Sequence, residues 1–557
     1  RVIIPSMVQI PTPSLPKIPL SLPWLKPLKG VVLRLGRWFL IGAGVGIGVL
    51  HGVIVPRIDE IRPVLEQHAS DWLGVPVRIG RIEAHSQRLI PSFDLHQVAI
   101  LDAQGVVALQ LPLIKIVVLE PLVIEKPSVD IHRDPDGTVW IAGFPIPLTS
   151  MPSDNTDSLW NWLPEVHIFE GSVTLSDQQY NVPPLVLEGL DAVLRNRDGH
   201  HIVHATTSTL QIKGNFNPRW EGVLFATTTP LPLVGLNPYT QRFGQFTQGT
   251  VALKVAVSTQ PQHPVPLRVE WNLHNGTVKL PRWFEHPTLS ADEWTGVLEW
   301  TKNGLRSDFQ LSNTDAAAKA SMRWSEKNGF YIQGRLHRAN ATQVHRYLPL
   351  EIPAVARHYV RDAVQGGRGT LVDFRVKGLF DDFRIAAHVE NGTLAYAPQW
   401  PPLTRLTGEL VIENDQLHVH TVRARVAGTS FPLEVTSAQA RITDLYGSPL
   451  LTVTGEARGA VVDVLETVVK KSPLGEMLNG VLNQAQAIGN ANYQLNLTIP
   501  LDHIDKTTVR GNVALQNNEF QILPTVPRLT HVQGTLEFTE SGFAVQDAIH
   551  ARSLSGS

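Results

Sequence analysis

The side chains best suited to chemistry are a few histidines and carboxylates. His418 and His420 share one face of a predicted strand, a spacing that can bind a metal ion. No third ligand can be named for them, and the histidines at 200–201 and the aspartates at 381–382 lie in sequences typical of polar turns. The sequence also lacks the serine-hydrolase, zinc-protease, nucleotide-binding and EF-hand motifs. We therefore predict no catalytic residue, no metal site, no cofactor and no enzymatic activity.

The composition narrows the function classes further. With 48 basic against 50 acidic residues, the net charge of -2 provides no basic field for nucleic acid. The chain has no cysteine, which excludes disulfides and thiolate metal sites. Since 43% of the residues are hydrophobic and only 18% are charged, a large apolar surface must be covered by something.

A membrane anchor is predicted near the N-terminus. Residues 38–55 contain His51 as the only strongly polar side chain, and as a helix they would span about 27 Å, close to a bilayer core. Basic residues without an acidic neighbour precede this segment, so the N-terminus is predicted to be cytoplasmic and the rest of the chain to lie outside. Small residues allow close helix packing. The candidate anchor-packing residues are Gly42, Gly44, Gly46, Gly48 and Gly52.

Beyond the anchor, the pattern indicates a mainly β protein. An amphipathic helix is predicted over 58–73, and after it apolar residues recur with period two almost to the end. Two helical interruptions, 341–364 and 461–488, contain prolines and are predicted to pack against the sheet.

Repeated phrases divide the β region into units. Each phrase is interpreted as a turn followed by an alternating strand, and the copies are about 105 to 125 residues apart. The phrases begin at Glu170, Asn275, Asn391 and Asn517, and second phrases begin at Gly296, Gly408 and Gly534. Alternation places two apolar side chains of each phrase on one face of a sheet. The candidate lining residues of that face are Val173, Leu175, Val278, Leu280, Leu298, Trp300, Leu394, Tyr396, Leu410, Ile412, Phe520, Ile522, Leu536 and Phe538.

Two helical segments are too few to cover such a face. The sheet could close on itself, stack as a solenoid, or curl into an open groove that holds something other than protein. Period-two alternation alone does not choose between these arrangements.

Several stretches resemble the YhdP family of AsmA-like bacterial envelope proteins. The stretch LGVPVRIGRIEA at 73–84 is similar to the start of that family. Further similar stretches lie at 91–102, 127–140, 347–349, 394–401, 472–474 and 495–501. They occur in the family's order over nearly the whole chain.

The resemblance implies an elongated, twisted, repeating β-groove with a few packing helices and one N-terminal transmembrane helix. It implies a single-pass protein of the bacterial inner membrane, with the bulk of the chain in the periplasm. Its apolar groove would carry phospholipids between the inner and outer membranes and so support outer-membrane lipid homeostasis and the permeability barrier. Phospholipids, the inner membrane, and the outer membrane or other envelope proteins are the expected partners.

Two other functions stay open. One is a non-catalytic envelope tether or assembly scaffold whose β core is filled by its own side chains. The other is an enzyme or polysaccharide binder, which would need a carboxylate cluster on a strand face, and none is evident.

The expected organisation has six parts. They are a proline-rich cytoplasmic leader (1–30), a transmembrane helix (31–56), an N-terminal AsmA-like module (57–150), repeating groove units (151–340), a helix with a groove unit (341–460), and a helix with a further groove unit (461–557) that is expected to be incomplete at its C-terminus.

Overall fold

The fold was examined in a computed structural model. It describes residues 44–45, 48–49, 52, 57–73, 75–87, 90–102, 105–117, 120–146, 164–178, 182–240, 244–260, 263, 265–378, 382–472, 480, 482–540, 542–545 and 550–553. The leader at 1–30 lies outside these residues, as does most of the predicted span at 31–56. Among the described residues, no helix combines the length and the apolar character needed to cross a bilayer. Of the candidate anchor glycines, Gly44, Gly48 and Gly52 are described, and nothing lies within 4 Å of a Cβ built on them.

The chain divides into two compact units, and the first comprises residues up to 130 with 141–144 and 166–171. Its elements are α1 (Ile58–Leu73), β1 (Val77–Gln87), β2 (Ile90–Leu101), β3 (Val107–Val117) and β4 (Leu122–Glu125). The four strands pair antiparallel in chain order. The predicted helix at 58–73 is confirmed. It is fixed to β1 because Glu66 Oε1 accepts the Ile79 amide at 2.6 Å and Ser70 Oγ accepts the Val77 amide at 2.8 Å.

The remaining strands follow along the chain. They are β5 (Ser128–Arg133), β6 (Val139–Ile141), β7 (Phe144–Ile146), β8 (Glu165–Asp177), β9 (Val182–Arg197), β10 (His200–Thr206), β11 (Leu210–Phe216), β12 (Gly222–Thr228), β13 (Leu231–Pro232), β14 (Gln245–Ser258), β15 (Leu267–Lys279), β16 (Thr288–Thr301), β17 (Gly304–Ser312), β18 (Ala316–Ser325), β19 (Gly329–Asn340), β20 (Val364–Lys377), β21 (Asp382–Leu394), β22 (Leu403–Glu413), β23 (Gln416–Val426), β24 (Glu434–Thr443), β25 (Leu450–Ala460), β26 (Gln486–Ile488), β27 (Asn490–Pro500), β28 (Thr508–Gln521), β29 (Leu529–Thr539), β30 (Gly542–Val545) and β31 (His550–Ser553).

The second unit is a long antiparallel meander. Consecutive strands pair from β9 to β29, with the short β13 and β26 attached to β14 and β28. The mainly β fold is therefore confirmed. Such pairing is typical of sequences in which alternating strands are joined by short turns.

The described helical segments of the second unit lie at one edge of this meander, except for the 3-10 turn Ile504–Lys506. Because strand direction alternates, successive connections fall on opposite edges. One edge, the helical rim, contains the connections 229–244, 280–287, 341–363, 395–402, 427–433 and 461–485. The other edge, the turn rim, contains 217–221, 302–303, 326–328, 414–415, 444–449 and 501–507. The described helices of the helical rim are a 3-10 turn (Leu233–Leu236), α2 (Asn237–Thr240), a 3-10 helix (Ala341–Tyr347), α3 (Ala354–Ala363), α4 (Val461–Asp463) and a π-helical turn (Val464–Val469).

The two predicted helical interruptions are only partly helical. The first is divided near its prolines into Ala341–Tyr347 and α3, as expected. In the second, the predicted helix over 461–488 is too long, since Gln486–Ile488 is strand β26 and pairs with β28. Pairing of Ala487 with Phe520 gives these residues a ladder partner that a helix would not provide.

The repeated phrases do not begin with turns, which corrects the sequence interpretation. Glu170, Asn275, Asn391 and Asn517 have φ between 50° and 59° and lie inside β8, β15, β21 and β28. A left-handed residue in a strand interrupts the alternation of side chains. In β15 a Cβ on Gly276 would meet Leu273, so these two residues lie on the same face although they are three positions apart, where regular alternation would place them on opposite faces.

Candidate functional site

A row of apolar or small side chains crosses the centre of the second unit. Direct cross-strand partners from β14 to β20 form this row: Leu253, Trp271, Gly296, Phe309, Ala320, Gly334 and Phe374. Since side chains two residues apart share a face, three parallel rows lie beside it. These are Val251, Leu273, Trp294, Leu311, Ala318, Leu336 and Val372; Val255, Val269, Leu298, Ser307, Met322, Ile332 and Val376; and Val257, Leu267, Trp300, Leu305, Trp324 and Phe330. We call these four rows the apolar face.

The opposite surface of the same strands, the charged face, carries ion pairs. Arg268 contacts Glu270 at 3.0 Å, and the guanidinium of Arg335 binds both carboxylate oxygens of Asp373 at 2.5 and 2.9 Å. The hydrogen bonds from Arg335 hold the pKa of Asp373 below its ordinary value. The alternation thus separates an apolar surface from a polar one that is suited to water.

The apolar face is accessible over much of its area. Between Leu273 and Ala363, a stretch the structure describes completely, no apolar side chain is buried. Exposure rises toward the turn rim: Leu273 is 4% exposed, whereas Trp300 is 48% and Trp324 is 38% exposed. Contiguous accessible apolar area of this kind is typical of a surface that binds another molecule.

Glycines let aromatic rings lie close to the backbone of this face. A Cβ on Gly296 would collide with the Trp271 indole and with Phe309 Cβ at 2.7 Å, and one on Gly334 would lie 2.7 Å from Phe374 Cζ. Trp271 also meets Trp294 edge to face, with ring centroids 6.0 Å apart. These contacts hold the rings against the backbone and against each other.

A cavity of about 1080 Å³ crosses β14 to β21. Each strand from β14 to β20 contributes three consecutive residues, one from the central row and two from the charged face, among them Glu270, Asp308 and Arg335. Neighbouring strands are about 4.8 Å apart, so the cavity extends for roughly 30 Å across them. Because two of every three of these residues lie on the charged face, the cavity is an elongated groove along that face.

The apolar face continues toward the C-terminus, where a helix covers it. The central row extends through Ile385, Ile412, Leu417, Ile442, Leu451 and Ile499. At β27 to β29, Leu465 and Val469 of the π-helical turn pack in a buried cluster with Ala491, Leu515 and Val532. At the helical rim, this end of the face is a filled core.

The predicted lining residues fall into three groups. Leu298, Trp300, Leu410, Ile412, Leu536 and Phe538 lie in strands on the apolar face. Val278, Leu280, Leu394, Tyr396, Phe520 and Ile522 follow a left-handed residue of β15, β21 or β28, toward the helical rim. Val173 and Leu175 are half-buried in β8.

The covering helix and the rim change the surroundings of some of these residues. Phe520 and Leu536 pack against the buried cluster below the π-helical turn. Tyr396 lies just after β21, and burial raises its pKa to about 12. Within the predicted set, Leu298 and Trp300 are therefore among the residues on the uncovered part of the apolar face.

Sequence reasoning missed the central row of β14 to β20. A signal was present, because Leu267, Val269, Trp271 and Leu273 alternate without interruption. The prediction instead followed the repeated phrases, two of which begin with Asn-Gly.

The histidine pair forms local polar contacts. His420 Nε2 lies 2.9 Å from Glu409 Oε2, and His418 Nε2 lies 3.2 Å from Gln416 Oε1. In the part of the chain that the structure describes, no group of three potential metal ligands is found.

Comparison with known proteins identifies the family. The model of the YhdP protein family matches residues 26–255 and 239–556. The chain belongs to the YhdP family. One similar curated protein is the intermembrane phospholipid transporter YhdP of Escherichia coli (strain K12), 27% identical over 280 residues. That match covers 46% of this chain and 21% of the relative's length. No solved structure matches the chain.

Proposed function

We propose that this chain is part of an inner-membrane-anchored periplasmic carrier that conducts phospholipids between the inner and outer membranes. The observation that carries the proposal is the apolar face of β14 to β20, which crosses seven strands in register and has accessible side chains. The Escherichia coli relative, named a phospholipid transporter, supports the same ligand class. In this role the protein supports outer-membrane lipid homeostasis and the permeability barrier without catalysing a reaction.

Transfer energetics explain why such a face is sufficient. Exposing each methylene of an acyl chain to water costs about 0.8 kcal/mol, so a free phospholipid crosses an aqueous gap slowly. A continuous apolar face removes most of this cost, while the polar headgroup stays in water. The strands β14 to β20 of the apolar face together span roughly 30 Å, which is enough to shield whole acyl chains.

The location rests on sequence features. Residues 38–55 are apolar enough to form a membrane anchor, and the basic residues before them favour a cytoplasmic N-terminus. The charged face of the following region is suited to the aqueous periplasm.

A second candidate is a tether or scaffold with a self-filled β core. The covered end at β27 to β29 favours it, since Leu515 and Val532 are buried there by the chain's own helix. The strands β16 to β19, in which no apolar side chain is buried, favour the carrier.

Site-specific photocrosslinking distinguishes these two functions. A photoreactive benzoylphenylalanine replaces Phe309 on the apolar face, and in a matched variant it replaces Gln310, the next residue on the charged face. The full chain is irradiated in bacterial membranes and its adducts are analysed by mass spectrometry. The carrier predicts phospholipid adducts at position 309 and at most traces at 310. Equal or absent adducts at the two positions would favour the scaffold.

A further inference from the structure

The turn rim between β16 and β19 combines exposed tryptophans with cations. Trp300 pairs with Leu305, and Leu305 pairs with Trp324, so the two indoles lie two strands apart in the same row, about 10 Å from each other. Both tryptophans lie at the exposed end of the apolar face, next to the turn rim. Tryptophan has an apolar ring and an N–H donor, which suits a boundary between acyl chains and water.

Lysines lie in the turns next to these tryptophans. Lys302 is in the β16–β17 turn and Lys327 in the β18–β19 turn, both exposed. Arg323, the residue before Trp324, is exposed on the charged face. Among the described residues, none of these three cations takes part in an ion pair, whereas Arg306 in the same region is paired with Asp308 at 3.1 Å. Glu326 is the acidic residue of these two turns, which leaves a positive balance.

The helical rim has the opposite character at the neighbouring strands β14 and β15. Leu233, which is 2% exposed, packs on Val251 and Leu273 at that end of the apolar face. The 3-10 helix after β19 is fixed to the β17–β18 turn, because the Tyr347 hydroxyl donates to Asp315 at 2.9 Å. The helical rim is therefore covered by apolar packing at β14 and β15, whereas the turn rim at β16 to β19 is open and carries unpaired lysines among the described residues.

We propose that the turn rim at Lys302 and Lys327 binds the phosphate of a phospholipid headgroup, while the acyl chains extend across the apolar face toward the helical rim. This inference rests on the proposed carrier function and adds a lipid orientation to it. Lysine ammonium groups bind phosphate by charge-assisted hydrogen bonds, and the tryptophans lie at the depth of the glycerol backbone.

A charge reversal tests the phosphate contact. The double variant Lys302→Glu/Lys327→Glu is compared with Arg282→Glu/Lys471→Glu, which changes the net charge equally at exposed positions of the helical rim. Both carry the photoreactive residue at Phe309 in the full chain. Loss of the two contacts should lower the phospholipid adduct about tenfold, equivalent to 1.4 kcal/mol, in the first variant and leave it unchanged in the second. Equal adducts in both variants would overturn the proposal.

Labelled lipids test the orientation directly. The full chain is reconstituted with phosphatidylethanolamine that carries a diazirine either on the headgroup or at the end of an acyl chain. The headgroup probe should label peptides that contain 300–305 and 324–330, and the acyl probe should label peptides that contain Trp271 or Trp294. Labelling of the same peptides by both probes, or in the reverse order, contradicts the orientation. If the chain without substitutions at the rim gives no phospholipid adduct at Phe309, the carrier function fails instead, so the two failures are distinguishable.

Discussion

The helical-rim end of the apolar face at β27 to β29 is covered by the chain's own helix, whereas the same face of β16 to β19 has no buried apolar side chain. Both regions are built from alternating strands in the same antiparallel meander. Under the π-helical turn, Leu515 is 6% and Val532 is 3% exposed. Burial raises the pKa of Tyr493 there, and the charge of Asp463 contributes to the same shift. In the open region Trp300 and Trp324 stay accessible.

This difference shows that strand alternation produces an apolar face but does not decide its use. A covered face is a core that stabilises the fold. An uncovered face contributes less to folding and leaves apolar area for a ligand. Asp463 illustrates how the cover is attached, since its buried carboxylate accepts the amides of Ser430 and Phe431 at 2.6 and 2.9 Å.

The largest expected effect is a charge placed under the cover. Leu465→Asp puts a carboxylate into the buried cluster and should lower the free energy of unfolding by more than about 4 kcal/mol. Pulse proteolysis of the full chain in lipid nanodiscs measures it. The control Glu466→Ala, at an exposed neighbour, should change stability by less than about 0.5 kcal/mol. A Leu465 variant as stable as this control would contradict a filled core.

A smaller effect is expected where an aromatic ring lies against a glycine of the open region. Gly296→Ala forces a methyl group into the Trp271 indole and should lower the free energy of unfolding by about 1–3 kcal/mol. Gly235→Ala is the matched control, because nothing lies within 4 Å of its Cβ. The same proteolysis measurement applies, and equal stability of the two variants would show that the ring is not held in this position.

Leu298→Asp tests the open region itself. Because Leu298 is only half-buried, the substitution should lower the free energy of unfolding by about 1 kcal/mol, half the value for a fully buried leucine. The amount of bound phospholipid should fall strongly. Lipid extraction and mass spectrometry of the purified full chain measure binding. Thr295→Asp, on the charged face, should keep its lipid. Unfolding of the Leu298 variant would make this region a core like that at β27 to β29.

The smallest effect concerns the charged face. Asp373 has a lowered pKa because of Arg335, so the pair stabilises the fold above the ordinary aspartate value of 3.8, and this contribution is lost as the pH falls through the lower folded pKa. Since both side chains are about half exposed, Asp373→Asn should cost only about 0.2–1 kcal/mol at pH 7. The difference between the variant and the parent chain should shrink below pH 4 and at high salt. A difference that is constant with pH would exclude an electrostatic cause.

Much of the architecture could be predicted from local patterns. The helix at 58–73, the mainly β content and the family resemblance are each confirmed. Periodicity reports these features because helix and strand formation depend on neighbouring residues. The Asn-Gly phrases were misleading for the same reason: Asn275 takes the left-handed conformation that turns use, but here it does so inside a strand.

The sequence by itself determined that strands alternate between apolar and polar side chains, because residues two apart share a face whatever the sheet does next. Only the tertiary structure decided which parts of the apolar face are covered. The register that places Trp271 on Gly296, and the helical segment that buries Leu515, join residues distant in sequence. Such contacts depend on the packing of whole elements, so no local pattern specifies them.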